Sequence, residues 1–129
     1  IESALQESKG ATRSELINAA EQSMAALHQQ FPQAITSAYT FRMDSSYWAI
    51  MRKGKEQYIS KEFALADVID KAGSGDCFMA GLIYGMLHDH DPAQTINFAA
   101  AAAAGKLYER GDATHQSIED VNKRVQETI

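Results

Sequence analysis

The amino-acid sequence predicts an α/β fold, and three observations carry that expectation. Helical and extended periodicities alternate along the chain, as helix, strand, hairpin, strand and then three helices. A glycine-rich turn, Gly73-Ser74-Gly75, stands between an extended apolar run and a helix. The composition is that of an ordinary folded domain, with 45% hydrophobic and 22% charged residues, which argues against disorder.

The first helix is expected over residues 12–31. Thr12 and Glu15 have the spacing of a capping box, in which each side chain meets the other's free amide. Leu16, Ala19, Ala20, Met24 and Leu27 follow at helical spacing, and Phe31-Pro32 ends the pattern. Residues 34–41, AITSAYTF, are β-branched and aromatic and read as a strand. Tyr47 to Met51, YWAIM, is apolar on both faces, as a strand in a covered sheet is. Lys53-Gly54-Lys55 turns the chain and Gln57 to Ser60 returns it, making a hairpin. Residues 64–69, ALADVI, are a further short apolar run and read as a strand.

From Gly75 to about His88 the period becomes helical, with Phe78, Met79, Leu82, Ile83, Met86 and Leu87 on one side. Asp91-Pro92 opens another helix, with Asp at the N-cap, Pro at the first position and Gln94 three residues after the cap. That helix carries six alanines, 99–104, and Gly111 follows its end. Ser117 with Asp120 starts a last helix that runs to about Thr128. No repeat or low-complexity linker interrupts the pattern, and 129 residues is a usual size for one domain.

Charge and composition exclude several classes of function. A net charge of −5, from 17 acidic and 12 basic residues, argues against a nucleic-acid partner, which needs a basic face. Nucleotides stay open, because they need only local cations, amides or a metal. The single cysteine, Cys77, cannot form an internal disulfide, which fits a reducing cytoplasm. The longest compact apolar stretch, Phe78 to Leu87, is too short to span a bilayer, so no membrane partner is expected. Ile1-Glu2-Ser3 is neither an initiator methionine nor a signal peptide, so the chain reads as beginning within a longer protein.

The segment that carries chemistry is Asp70-Lys-Ala-Gly-Ser-Gly-Asp-Cys-Phe-Met-Ala-Gly81. Gly73 and Gly75 let the backbone turn tightly and approach a ligand closely. They lie at a helix start, where free amides and the helix dipole favour an anion. Asp76 sits in the first helical turn, beside that anion site. Phosphoryl transfer to an alcohol needs this pair of features: amides that stabilise charge on the moving group, and a carboxylate that takes the proton of the attacking hydroxyl. A bare GxGD reads more simply as a glycine turn with an aspartate helix cap. The surrounding twelve residues favour the chemical reading.

Those residues resemble the second signature of the ribokinase-like, or PfkB, carbohydrate kinases. Asp70, Gly73, Gly75, Asp76, Phe78 and Gly81 match it. Lys71 departs from the usual small residue, although relatives of the 2-keto-3-deoxygluconate kinase type can carry a basic residue there. The family continues with an Ala-rich helix beside the nucleotide and a turn containing Gly; Asn97 to Ala104 and Glu109-Arg-Gly-Asp112 occupy those places. In many relatives an Asn near the adenine aligns with Ala100, so that contact is missing here. Ile35 to Arg42 and the Tyr47–Ser60 hairpin are similar to the segment before the motif in the 2-keto-3-deoxygluconate kinase type. The resemblance spans essentially the whole chain but only about the last two-fifths of a family member.

The resemblance implies a ribokinase-like fold, here the C-terminal portion of an αβα sandwich with an incomplete sheet and flanking helices, residues 1–129 forming a single partial domain. It implies ATP-dependent phosphorylation of a sugar or sugar-acid hydroxyl, with ATP and Mg2+. Asp76 would be the catalytic base. Gly73, Ser74 and Gly75 would form the anion hole for the ATP phosphates. Ala100, Ala103 and Gly111 would lie at the nucleotide, and no side-chain metal site is implied. Arg42 is the best basic candidate for a substrate or phosphate contact, weighed equally against a surface salt bridge. The family's sugar pocket and β-sheet lid come mostly from an N-terminal half, so that half, and a homo-oligomer, are the implied protein partners. The alternative is a non-catalytic interaction domain that kept the fold and lost the substrate half.

Other residues read more simply. His88 and His90 could bind zinc but lack a third ligand and suit a solvated helix C-terminus. Cys77 reads as a small core residue rather than an activated thiol. Gly81 and Gly85 form GxxxG, expected to permit close helix–sheet packing, and Trp48 reads as core.

Overall fold

The computed structural model describes residues 11–129, so Ile1-Glu2-Ser3 and the reading attached to them lie outside it. The chain forms α1 (Arg13–Gln30), β1 (Thr36–Arg42), β2 (Ser46–Lys53), β3 (Glu56–Ile59), β4 (Phe63–Ala64), α2 (Ser74–Leu87), α3 (Pro92–Lys106) and α4 (Ile118–Glu127). Local sequence starts three of the four helices among the described residues. The Glu15 N–H donates to the Thr12 hydroxyl, the Gln94 N–H to the Asp91 carboxylate, and at Ser117 both bonds of a capping box with Asp120 are made.

β1, β2 and β3 are consecutive antiparallel strands, with Thr36 opposite Lys53, Arg42 opposite Tyr47 and Ile50 opposite Ile59. β4 adds a short pairing to β2, with Phe63 opposite Tyr47. The strand period of two divides β2 between two cores. Tyr47, Ala49 and Met51 face the core built with α3, whereas Trp48 and Ile50 face Leu16, Ala20 and Met24 of α1. Trp48 is buried, as expected, and stacks on Phe41 with ring centroids 4.2 Å apart. The layers are therefore α1, an open antiparallel sheet, and α3 flanked by α2 and α4. This is an α/β sandwich with an open sheet and flanking helices, as the family resemblance implies.

α3 is central in its layer, and this explains its alanines. It touches β2, α2 and α4, and Ala99 to Ala104 are all buried. Only small side chains admit close neighbours on so many sides. The GxxxG pair works at the same junction. A Cβ at Gly81 would lie 2.7 Å from Ala99 Cα, and one at Gly85 2.6 Å from Thr95 Oγ1. The close packing is thus helix on helix, α2 against α3, rather than the helix-on-sheet packing expected.

Two expectations need correction. The run at 64–69 is not a strand beyond Ala64. Asp67 adopts a φ of 54°, which breaks extended backbone, and the Ile69 N–H turns to the Leu107 carbonyl instead of a strand partner. The apolar side of α2 also divides. Phe78 and Leu82 are buried, while Met79, Ile83, Met86 and Leu87 are exposed, Leu87 by 76%. β1 pairs only with β2 among the described residues, so its other edge is open. No helix among these residues is long and apolar enough to cross a membrane.

Candidate functional site

The glycine-rich turn is held by backbone geometry that glycine alone supplies at one position. Gly73 is the N-cap of α2 with a φ of 81°, and a Cβ there would stand 2.2 Å from the Asp112 carbonyl oxygen. Asp70 ties the turn together: its carboxylate accepts the Ala72 N–H at 3.0 Å and the Gly111 N–H at 2.8 Å. These two amides hold its carboxyl below the usual carboxylate range. The Ile69 and Asp70 N–H groups both donate to the Leu107 carbonyl. Residues 69–73 are thereby clamped to residues 107–112.

With glycine at its N-cap, the start of α2 has no side-chain cap, unlike α1, α3 and α4. Its first amides are available to an anion, and the helix dipole favours one there. The start of α2 opens on a cleft of about 590 Å³ between α1, the open edge of β1 and the turn; Arg42, Tyr47, Lys71, Ser74 and Gly75 line it. A side chain at Gly75 would meet nothing within 4 Å, so packing does not require glycine at that position. Asp76 is exposed in the first turn of α2, next to the cleft-lining Gly75.

Of the residues singled out in the sequence, the structure brings Arg42, Ser74 and Gly75 to one cleft, and Gly73 is the N-cap of the helix that starts there. Arg42 takes part in none of the ion pairs among the described residues. Gly111, with a φ of 82°, is tied to the turn through Asp70. Ala100 and Ala103 are fully buried in the core between sheet and helices and present no surface to a ligand. Lys71, read in the sequence only as a departure from a pattern, lines the cleft and takes part in none of the ion pairs among the described residues. Asp70 as organiser of the turn was also missed. An aspartate two residues before a small residue and three before a glycine signals such a turn, but its second acceptor contact, 41 residues away, is not visible in one dimension.

The neighbouring side chains narrow the chemistry. Burial pushes the Tyr47 phenol up to about 12, so it remains a neutral donor in the cleft wall. Burial likewise pushes the Cys77 thiol up, which suits a packing residue and not a thiolate. His88 Nδ1 is 2.9 Å from the Tyr84 carbonyl. No group of three or more His, Cys, Asp or Glu is placed to hold a metal among the described residues. The cleft thus brings together the uncapped start of α2 and the cations of Arg42 and Lys71, with the Asp76 carboxylate in the same helical turn.

Comparison with known proteins gives the family. The pattern of the pfkB family carbohydrate kinase matches residues 5–119. No curated protein matches the chain. A pfkB family carbohydrate kinase from Listeria grayi is similar in structure, with a TM-score of 0.74 and 25% identity over 81% of this chain and 34% of that one. A 2-dehydro-3-deoxygluconokinase from Thermotoga maritima has a TM-score of 0.74 and 25% identity over 89% of this chain and 35% of that one. A nucleoside kinase from Burkholderia thailandensis, at 23% identity and a TM-score of 0.54 over 70% of this chain and 30% of that one, shares the fold alone. The chain spans about a third of the length of the solved kinases it matches. Because the family pattern runs through nearly all of it, and the glycine turn, Asp76 and the layered fold all fit, the chain belongs to the pfkB family of carbohydrate kinases.

Proposed function

We propose that this chain is the nucleotide-binding and catalytic portion of an ATP-dependent kinase acting on a sugar or sugar-acid hydroxyl. One observation carries the reading: the uncapped start of α2, with Asp76 in its first turn, opens on a cleft lined by Arg42 and Lys71. The amides at Gly73–Gly75 receive phosphate oxygens and stabilise the charge of the transferring group. Asp76 accepts the proton of the attacking hydroxyl. Arg42 and Lys71 add positive charge for a phosphate or a substrate carboxylate. Magnesium would be held mainly by the triphosphate of ATP, with few protein ligands, and would offset its negative charge. The likeness to the Thermotoga maritima enzyme favours 2-keto-3-deoxygluconate as the acceptor. The test is ATP-dependent phosphorylation of a panel of sugars and keto-acids by the chain joined to its N-terminal half. No product from any acceptor would overturn the reading.

Gly75→Val tests the phosphate site separately from the fold. Nothing packs against Gly75, so the variant is expected to fold. Its branched side chain stiffens the turn and fills the approach to the amides, so MgATP affinity should fall. Unchanged affinity, measured by calorimetry on the folded variant, would make the turn structural only.

The substrate half is the proposed partner, and the open surfaces support this. Met79, Ile83, Met86 and Leu87 form an exposed apolar face on α2, and β1 has an open edge. Such surfaces promote association. The isolated 129-residue chain is therefore expected to self-associate and to phosphorylate no sugar. Light scattering with a kinase assay checks both, and a stable monomer with sugar kinase activity would refute the division of labour. The same surfaces favour the second reading, a non-catalytic interaction domain. Failure of the joined protein to turn over any acceptor, with the two parts still bound, would favour that reading.

A further inference from the structure

Lys106, the last residue of α3, is fully buried. A buried ammonium is costly unless it is hydrogen-bonded and faces compensating charge. Lys106 Nζ donates to the Glu109 carbonyl at 2.9 Å, and the Glu109 N–H donates back to the Lys106 carbonyl at 2.9 Å. Residues 106–109 are thus closed by two bonds, one of them from a side chain. The next residues make both contacts that shape the glycine turn: the Gly111 N–H bonds Asp70, and the Asp112 carbonyl lies against Gly73. A lysine placed only to favour the helix dipole would work as well when exposed.

We propose that Lys106 is a positioning residue for the phosphate turn, its buried ammonium holding the Glu109–Asp112 turn against Asp70 and Gly73. The inference rests on the reading of Gly73–Gly75 as the phosphate site. The positive charge of the ammonium favours the ionised carboxylates of Asp70 and Glu109.

The test uses the full chain with Lys106→Met, Lys106→Gln and Lys106→Arg, reading amide hydrogen exchange and MgATP affinity. Met fills the space without a charge or a donor. Lys106→Met should leave the amides of Ala99 to Ala104 protected, while Ala72 and Gly111 exchange about tenfold faster and MgATP affinity falls about tenfold, the scale of one charge-assisted hydrogen bond. Lys106→Gln, uncharged and one atom shorter, should shift both in the same direction, and Lys106→Arg should keep both within about threefold. Unchanged protection at Gly111 in a folded Met or Gln variant overturns the proposal. So does loss spread evenly over α3, which indicates packing alone. If Lys106→Met does not fold, the Gln variant decides by the same measure. If the amides respond but the wild-type chain binds no MgATP, the phosphate-site reading fails, and Lys106 positions a structural turn only.

Discussion

Asp76→Asn, in the chain joined to the proposed N-terminal half, is expected to lower phosphoryl transfer by about 100-fold or more, the usual scale for loss of a general base. The reasoning is geometric. Asp76 is exposed in the first turn of α2, one residue after the amides at Gly73–Gly75 that would receive the phosphate. It makes no hydrogen bond to another side chain among the described residues, and its carboxylate is not part of the clamp that shapes the turn. Asparagine keeps the shape and can still sit in a helical first turn, but it cannot take a proton. MgATP affinity and thermal stability should therefore stay near wild type while turnover collapses. Turnover within a few-fold of wild type would remove Asp76 from the mechanism. A collapse of ATP affinity in parallel would instead mean that Asp76 organises the site.

Gly73→Ala should unfold the site without touching any charged group. The left-handed φ of 81° costs a non-glycine residue about 1–2 kcal/mol. The added Cβ would also stand 2.2 Å from the Asp112 carbonyl oxygen, a backbone atom that cannot swing aside. Strain and clash together should lower stability by about 3 kcal/mol or more, within the large-effect range for point substitutions. Relief requires the 111–112 turn to move, which also breaks the bond from Gly111 to Asp70. Thermal unfolding monitored by circular dichroism checks this. Gly75→Ala is the control, because it meets nothing within 4 Å and should unfold near the wild-type temperature. Equal behaviour of the two alanine variants would show that the turn rearranges freely.

The boundaries of the elements were largely legible because caps and periods are local. Thr12, Asp91 and Ser117 each bond an amide three residues on, and the structure starts a helix after each of them. The apolar doublet of faces in β2 also reads directly, since alternation along five residues separates Tyr47, Ala49 and Met51 from Trp48 and Ile50. The segment at 64–69 was misread because its composition suits a strand, while the backbone follows Asp67 and the Leu107 carbonyl, which composition does not encode. Gly73 and Gly75 look alike in the motif. Only the structure distinguishes them: Gly73 meets the backbone of Asp112, and Gly75 faces open space.

By itself, then, the sequence determined the α/β class, the helix starts and the glycine turn with Asp76 in its helix, because each depends on residues within about one helical turn of one another. The tertiary structure alone decided which surfaces those elements meet. It buried Ala100 and Ala103 in a helix surrounded by neighbours, left Met79, Ile83, Met86 and Leu87 uncovered, and brought Arg42 and Lys71 to one cleft. It also joined Asp70 to Gly111 and Lys106 to the same turn. These contacts connect residues up to about 40 positions apart, and folding the intervening helices against each other is what brings them within hydrogen-bonding distance.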